Sequence, residues 1–304
     1  MSLDELKKRM EALNGKPLEN IPDENSIKTP VAVVPETHPL HNALTKPFAT
    51  AVVNKPERQR ARRLKISDLP FVSLEECLSG GIKSSEHGSC YHVERSLAEH
   101  APWCEAVNLS FAGALKGASL GRRGRRAGSV DIHEVLFLDL ETLGLSGEPL
   151  FLVGLLRMGE DGCLVCHQFL ARDLSEEAAS ISLVADLFRQ TRLLVTFNGI
   201  SYDMPLLRSR AGIHGVVLEE PKAHLDILLE ARQRYRRTLP NCRLQTLEEH
   251  VCEREREDDV PGAEIPRVYR EYIKTGNAAL LQKVIHHNLL DLATTADLLV
   301  RFFA

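Results

Sequence analysis

An α/β fold, with a mixed β-sheet flanked by helices, is what this 304-residue sequence predicts. Two observations carry the prediction. From residue 130 onward, short apolar runs alternate with segments whose apolar residues recur at helical spacing. The first three runs, VLFLDL, LFLVGLLRM and CLVCHQFLA, follow one another without a helix, as antiparallel strands do. The later runs are separated by helical segments, as crossover connections require.

Each element has its own signal. GEDG between the second and third runs is a hairpin turn. SEEAASISLVADLFRQ opens on a serine and acids and reads as a capped helix. LLVTF is a buried strand. SYDMPLLRSRAG is a helix with Pro205 in its first turn and Gly212 at its end. HLDILL is expected as the final strand. LQTLEEHVCE, PRVYREYIKTG and NAALLQKVIHHNLLDLATTADLLVRFF are expected as helices.

The first 128 residues are less regular. A short helix over Leu3 to Leu13 is followed by Pro-, Asn-, Thr- and Lys-rich sequence without a sustained period, so residues 1–65 read as a disordered, basic linker. Residues 66–128 read as a small annex or as pieces packed on the main domain. They end in SLGRRGRRAGS, an exposed basic loop carrying Arg122, Arg123, Arg125 and Arg126. That loop is either a linker or a nucleic-acid contact. The main domain is expected over residues 129–304.

Composition narrows the function. Apolar residues at 43% and charged residues at 26% describe an ordinary globular chain. Aromatics at 5% argue against a many-platform base-stacking surface, and a net charge of −4 against coating nucleic acid by bulk charge. With no bilayer-spanning apolar run and no secretory core, a cytoplasmic protein without a membrane partner is expected. Seven scattered cysteines suit reduced thiols. Cys163 and Cys166 have the spacing of half a zinc site, but no second pair stands at useful distance, so zinc is not expected.

Four acids on three separated segments are the chemical signal. Asp139 and Glu141 close VLFLDLET and leave one face of a strand. Asp203 opens the helix after LLVTF. Asp291 lies in the last helix beside Leu289, Leu290 and Leu292. Each neighbours an apolar run, where a carboxylate needs a compensating charge. Two divalent cations roughly 3.5–4 Å apart would supply it and would suit phosphodiester hydrolysis. Taken singly, each acid has a plainer explanation as a strand end, a helix N-terminal acid or a helix surface position.

In order, FLDLET, FNGISYDMPLL and HHNLLD resemble the three motifs of the DEDD (DnaQ-like) 3′→5′ exonuclease superfamily, which has the ribonuclease-H-like fold. HLDILLEAR and the stretch TLEEHVCEREREDDVPGAEIPRVYREYIKTGN resemble its bacterial YprB-type branch of predicted exonucleases. The resemblance covers about residues 130–304. It implies that Asp139, Glu141, Asp203 and Asp291 hold two Mg²⁺ or Mn²⁺ ions, and that the substrate is DNA or RNA. It implies a general base at His286 by the spacing of the histidine class, which we prefer, or at His287 by the H-N-x-x-D pattern. It implies substrate contacts at Thr142 and Leu143. Asn198 is either a turn former or a substrate contact, and Asp226 reads as structural. The charged insert EREREDDVPGAEIP is either solvated or rims the cleft. The implied activity is two-metal-dependent release of nucleoside 5′-monophosphates. The alternatives are a structure-specific endonuclease on the same fold and a nucleic-acid-binding scaffold without activity.

Overall fold

The computed structural model describes residues 69–117, 130–144, 147–256 and 259–303. Seven strands form one sheet: β1 (Gly81–Ser85), β2 (Gly88–Ser96), β3 (Val135–Thr142), β4 (Leu150–Met158), β5 (Leu164–Leu170), β6 (Leu193–Thr196) and β7 (Ala223–Asp226). Their order is β1-β2-β5-β4-β3-β6-β7. The pairs from β1 through to β3 are antiparallel, and β3–β6 and β6–β7 are parallel. The mixed sheet is therefore as predicted, with β3 at the change from antiparallel to parallel pairing. The hairpin between β4 and β5 turns on Gly159–Gly162, with the Gly159 N–H donating to the Cys163 carbonyl at 2.8 Å.

The helices are α1 (Leu74–Cys77), α2 (Pro102–Gly117), α3 (Glu177–Phe188), α4 (Asp203–His214), α5 (Ile227–Tyr235), α6 (Leu244–His250), α7 (Ile265–Thr275) and α8 (Leu281–Phe303). Alternation along β3 divides the core. Leu136 and Leu138 pack with Val184 of α3 and Leu207 of α4. Val135 and Phe137 face the other way, into a cluster with Phe111 of α2 and Leu289 and Ala293 of α8. Near the start of α8, Val284 and Ile285 join Tyr269 of α7 and Phe151 in a third cluster. Burial of these apolar faces is the main stabilising term.

Of the two readings of residues 66–128, the pairing of β2 with β5, which extends the sheet, fits pieces packed on the main domain. Two expectations change. HLDILL is half strand and half helix, because Asp226 ends β7 and its side chain accepts from the Leu228 N–H at 3.0 Å, capping α5. Helix α4 runs through Gly212 and stops at Gly215, whose φ of 69° is the left-handed C-terminal conformation. The basic linker at 1–65 and Arg122, Arg123, Arg125 and Arg126 lie outside the described residues. Among the described residues no helix is long and apolar enough to cross a membrane. All seven cysteines are free, and burial pushes the Cys166 thiol up to about 12.

Candidate metal-dependent nuclease site

Asp139 and Glu141 leave β3 on the face covered by α8. The ladder to β4 shifts register between Glu141 and Thr142, a bulge of the kind found where strands end beside sites. Across the ladder from Asp139 stands Gly154. A Cβ there would lie 2.0 Å from Asn288 Oδ1, so only glycine lets α8 come this close. Asn288 uses the approach fully. Its Nδ2 donates to Asp139 Oδ2 at 2.8 Å, and its Oδ1 accepts from Gln168 Nε2 at 2.8 Å.

Asp203 is delivered by the turn between β6 and α4. Asn198 adopts a left-handed φ of 66°, and its N–H donates to Asp226 Oδ1 at 2.9 Å. The Ile200 N–H donates to Asp226 Oδ2 at 3.2 Å. A Cβ on Gly199 would stand 2.5 Å from the Thr196 side chain, so this tight turn requires glycine. Asp203 Oδ1 then accepts from the Leu140 N–H at 3.2 Å, which ties the start of α4 to β3 between its two acids.

Asp291 projects from the middle of α8. One turn earlier is His287, with Nε2 3.7 Å from Asp291 Oδ2 and Nδ1 2.9 Å from both oxygens of Asp259. Asp259 comes from the charged segment between α6 and α7, as does Arg256. Arg256 Nη2 lies 2.5 Å from Asp291 Oδ1, its Nη1 donates to Asp259 Oδ2 at 3.2 Å, and its Nε donates to Glu248 Oε2 at 2.6 Å. Gly262 and Ala263 from the same segment, with Leu140, Thr142, Tyr202 and Asp203, line a cleft of about 450 Å³.

The electrostatics are those of an acidic site short of cations. Burial holds the Asp139 carboxyl well above the usual carboxylate range, and the charges of Asp291, Glu141 and Asp203 push it further. Burial raises Glu141 to about 8; His287 pulls it down and Asp291 and Asp203 push it up. Burial raises Asp203 to about 7 against the hydrogen bonds it accepts. His287 moves upward: burial lowers it, but Asp259 together with the charges of Asp291 and Glu141 outweighs that. Among the described residues no Lys or Arg ion-pairs with Asp139, Glu141 or Asp203. Arg256 is already shared by Glu248, Asp259 and Asp291.

The charges of Asp291, Glu141 and Asp203 all act on Asp139, so the four acids share one electrostatic environment, and His287 stands beside Asp291 and acts on Glu141. His286 does not. Its ring lies against His100 at 5.0 Å between centroids, and burial lowers its proton affinity. The reason is helical: adjacent residues on α8 point about 100° apart, and only the residue one turn before Asp291 shares its face. Thr142 lines the cleft, with Oγ1 donating to the Gly144 carbonyl at 2.6 Å. Leu143 turns inward to the cluster around Tyr269, and its carbonyl accepts from Arg270 at 2.5 Å. Asn198 shapes the turn through its backbone. Asn288, Asp259 and Arg256 are not among the residues that the sequence singles out. Asn288 had a signal, the H-N-x-x-D spacing with a glycine inside an apolar strand. The other two had only a mixed-charge segment.

Residues 136–303 match the family model described as the RNase H superfamily. A relative, the uncharacterized protein YprB of Bacillus subtilis (strain 168), is 30% identical over 176 residues, 55% of this chain and 41% of YprB. The chain therefore spans less than half of that relative's length. Among solved structures, the family B DNA polymerase of the hyperthermophilic archaeon Pyrobaculum calidifontis is similar with a TM-score of 0.41. Its identity is 17%, over 53% of this chain and 23% of the polymerase chain.

Proposed function

The chain belongs to the RNase H superfamily, a fold of nucleic-acid nucleases that generally use divalent metal ions, and from that premise we propose a DEDD-type 3′→5′ exonuclease. It would hydrolyse DNA or RNA to nucleoside 5′-monophosphates. The observation that carries the proposal is that Asp139, Glu141, Asp203 and Asp291 act on one another's charges while, among the described residues, Asp291 alone of the four is paired with an arginine. Neutral oxygens or paired ions would satisfy a structural site. Carboxylates that bind protons up to near neutral pH are instead a set of hard oxygen donors suited to Mg²⁺ or Mn²⁺. Two such ions, when bound, supply an activated water and stabilise the leaving oxygen.

The chain's own residues orient this set. Asn288 fixes the Asp139 carboxylate, the Leu140 N–H fixes Asp203, and Arg256 fixes Asp291. Asp259 on Nδ1 sets the His287 tautomer and leaves Nε2 free to take a proton on the acid side. We therefore assign the general base to His287, not His286. Thr142 and Leu140 border the space for the terminal nucleotide. Arg122, Arg123, Arg125 and Arg126, shortly before β3 in sequence, would bind the phosphate backbone beyond it.

Incubation of the protein with 5′-labelled single-stranded DNA and RNA, with Mn²⁺ or with chelator, tests this. The expected result is a Mn²⁺-dependent ladder shortening from the 3′ end, with mononucleotides released. Internal cuts would make it an endonuclease, and binding without hydrolysis would make it a scaffold.

A further inference from the structure

The sheet carries a second convergence of metal-ligating groups, on the face opposite the four acids. His92 and Glu94 of β2 and His167 of β5 point to the same side as Cys90, toward α3. Val93 and Gln168 between them face α8. Glu94 and His167 are direct partners in the β2–β5 ladder, and His92 is diagonal to His167. His92 Nε2 lies 3.3 Å from His167 Nδ1. Glu94 Oε2 lies 3.2 Å from His167 Nδ1 and 3.9 Å from His92 Nε2. These three atoms bracket one point. Ligand atoms around a tetrahedral ion with bonds of about 2.0–2.1 Å stand about 3.3 Å from one another.

We propose that His92, Glu94 and His167 form a binding site for a borderline transition-metal ion of the Zn²⁺ class, separate from the Mg²⁺ or Mn²⁺ site. Two imidazoles and one carboxylate are the donor set such ions prefer, whereas Mg²⁺ takes oxygens. Burial lowers His92, and burial lowers His167 to about 4, so both rings are neutral at neutral pH and each keeps one nitrogen able to bind a metal. Lys83 and Arg157 add to that lowering, and Glu94 supplies the negative charge that offsets them for a cation. The histidines are mostly buried and held by the strands, at 13% and 19% side-chain exposure, while Glu94 is open at 58% and free to adjust. A cleft of about 460 Å³, lined by Glu94 and His167 together with His133, Arg157, Glu160 and Asp161, gives solvent access to this side of the group. Strand β2 lies outside the segment that matches the family, and β5 lies within it. The ion would therefore pin the added β1–β2 hairpin to the core of the sheet.

The test is Zn²⁺ binding to the full chain by calorimetry, with Co²⁺ as a spectroscopic substitute. Both use an Asp139→Asn/Asp203→Asn background, so that the acid site cannot account for the metal. One equivalent of Zn²⁺ should bind, Co²⁺ should give visible d–d bands, and Zn²⁺ should raise Tm. His167→Gln and His92→Gln should each weaken binding by more than the roughly 10–100-fold that outer partners of a ligand cost. Glu94→Gln, on an exposed position that cannot unfold the sheet, should also weaken it and reduce the Tm gain. Absence of a one-equivalent site, or binding that all three substitutions leave unchanged, would overturn the proposal. The His92–His167 contact would then be a hydrogen bond between neutral rings. Because the double-Asn background is inactive by design, failure here leaves the exonuclease proposal untouched.

Discussion

Glu177 and Glu141 are both carboxylates set against the sheet, and they differ in almost everything else. Glu177, at the start of α3, is 1% exposed, yet every lone pair is used. Arg210 donates to both oxygens at 2.7 and 2.5 Å, His214 lies 2.8 Å away, and the Leu150 N–H donates at 2.8 Å. Burial raises its pKa, but these partners outweigh burial and hold it below the usual value. Glu141 sits half-open at the cleft with three other acids, and burial pushes it up to about 8. The lesson is that burial of a charge is not the mark of a site. A paired carboxylate is architecture; a group of carboxylates left without cations is poised for a ligand.

The sharpest way to break this contrast is Asp139→Asn. Hydrolysis in Mn²⁺ should fall by more than about 10³-fold, while circular dichroism and Tm stay at or above the parent's. A destabilised variant with proportionate loss of activity would put Asp139 in the Glu177 class. His287→Ala should lower turnover by about 10²–10⁴-fold, and His286→Ala by little. Equal losses in steady-state assays would remove the distinction drawn from helix geometry.

Glu177→Gln is the mirror experiment. It leaves Arg210 without its charge partner and should cost about 3–5 kcal/mol in chemical denaturation. Activity per folded molecule should be unchanged, measured well below the melting range.

The smallest effect concerns pH. In the metal-free protein Glu141 and Asp203 keep protons up to about 8 and 7, whereas unfolded carboxyls lose theirs near about 4. The folded state binds more protons between these values, so its stability falls as pH rises. The contribution is full below the unfolded pKa and gone above the folded one. Glu141→Gln should therefore raise Tm of the metal-free protein at pH 8 by about 2–4 °C for each kcal/mol relieved, and weaken Mn²⁺ binding. A Tm that falls at pH 8 would show that the ionised Glu141 is already compensated.

Much of the fold is legible because it is local. VLFLDL, LFLVGLLRM and LLVTF are strands by apolar run, the GEDG turn is a turn by composition, and α8 follows its own period. Misplacements occur where one side chain redirects the backbone. Asp226 converts the second half of HLDILL into a helix by capping it. Residues 91–96 of β2 pair with a strand about 75 positions away, as in His92 opposite Phe169, and no local pattern announces that.

The sequence by itself determined the α/β class and most of the elements from β3 onward, and it singled out four acids as candidates, since these depend on residue type, spacing and periodicity. Tertiary structure decided which histidine faces them, because α8 docks with Asn288 in the space left by Gly154 and so turns His287 inward and His286 toward His100. It also decided that Arg256 and Asp259 join the site and that His92, Glu94 and His167 meet on the far face. Charges and ligand atoms act over a few ångströms in space, and those distances exist only once distant segments have packed.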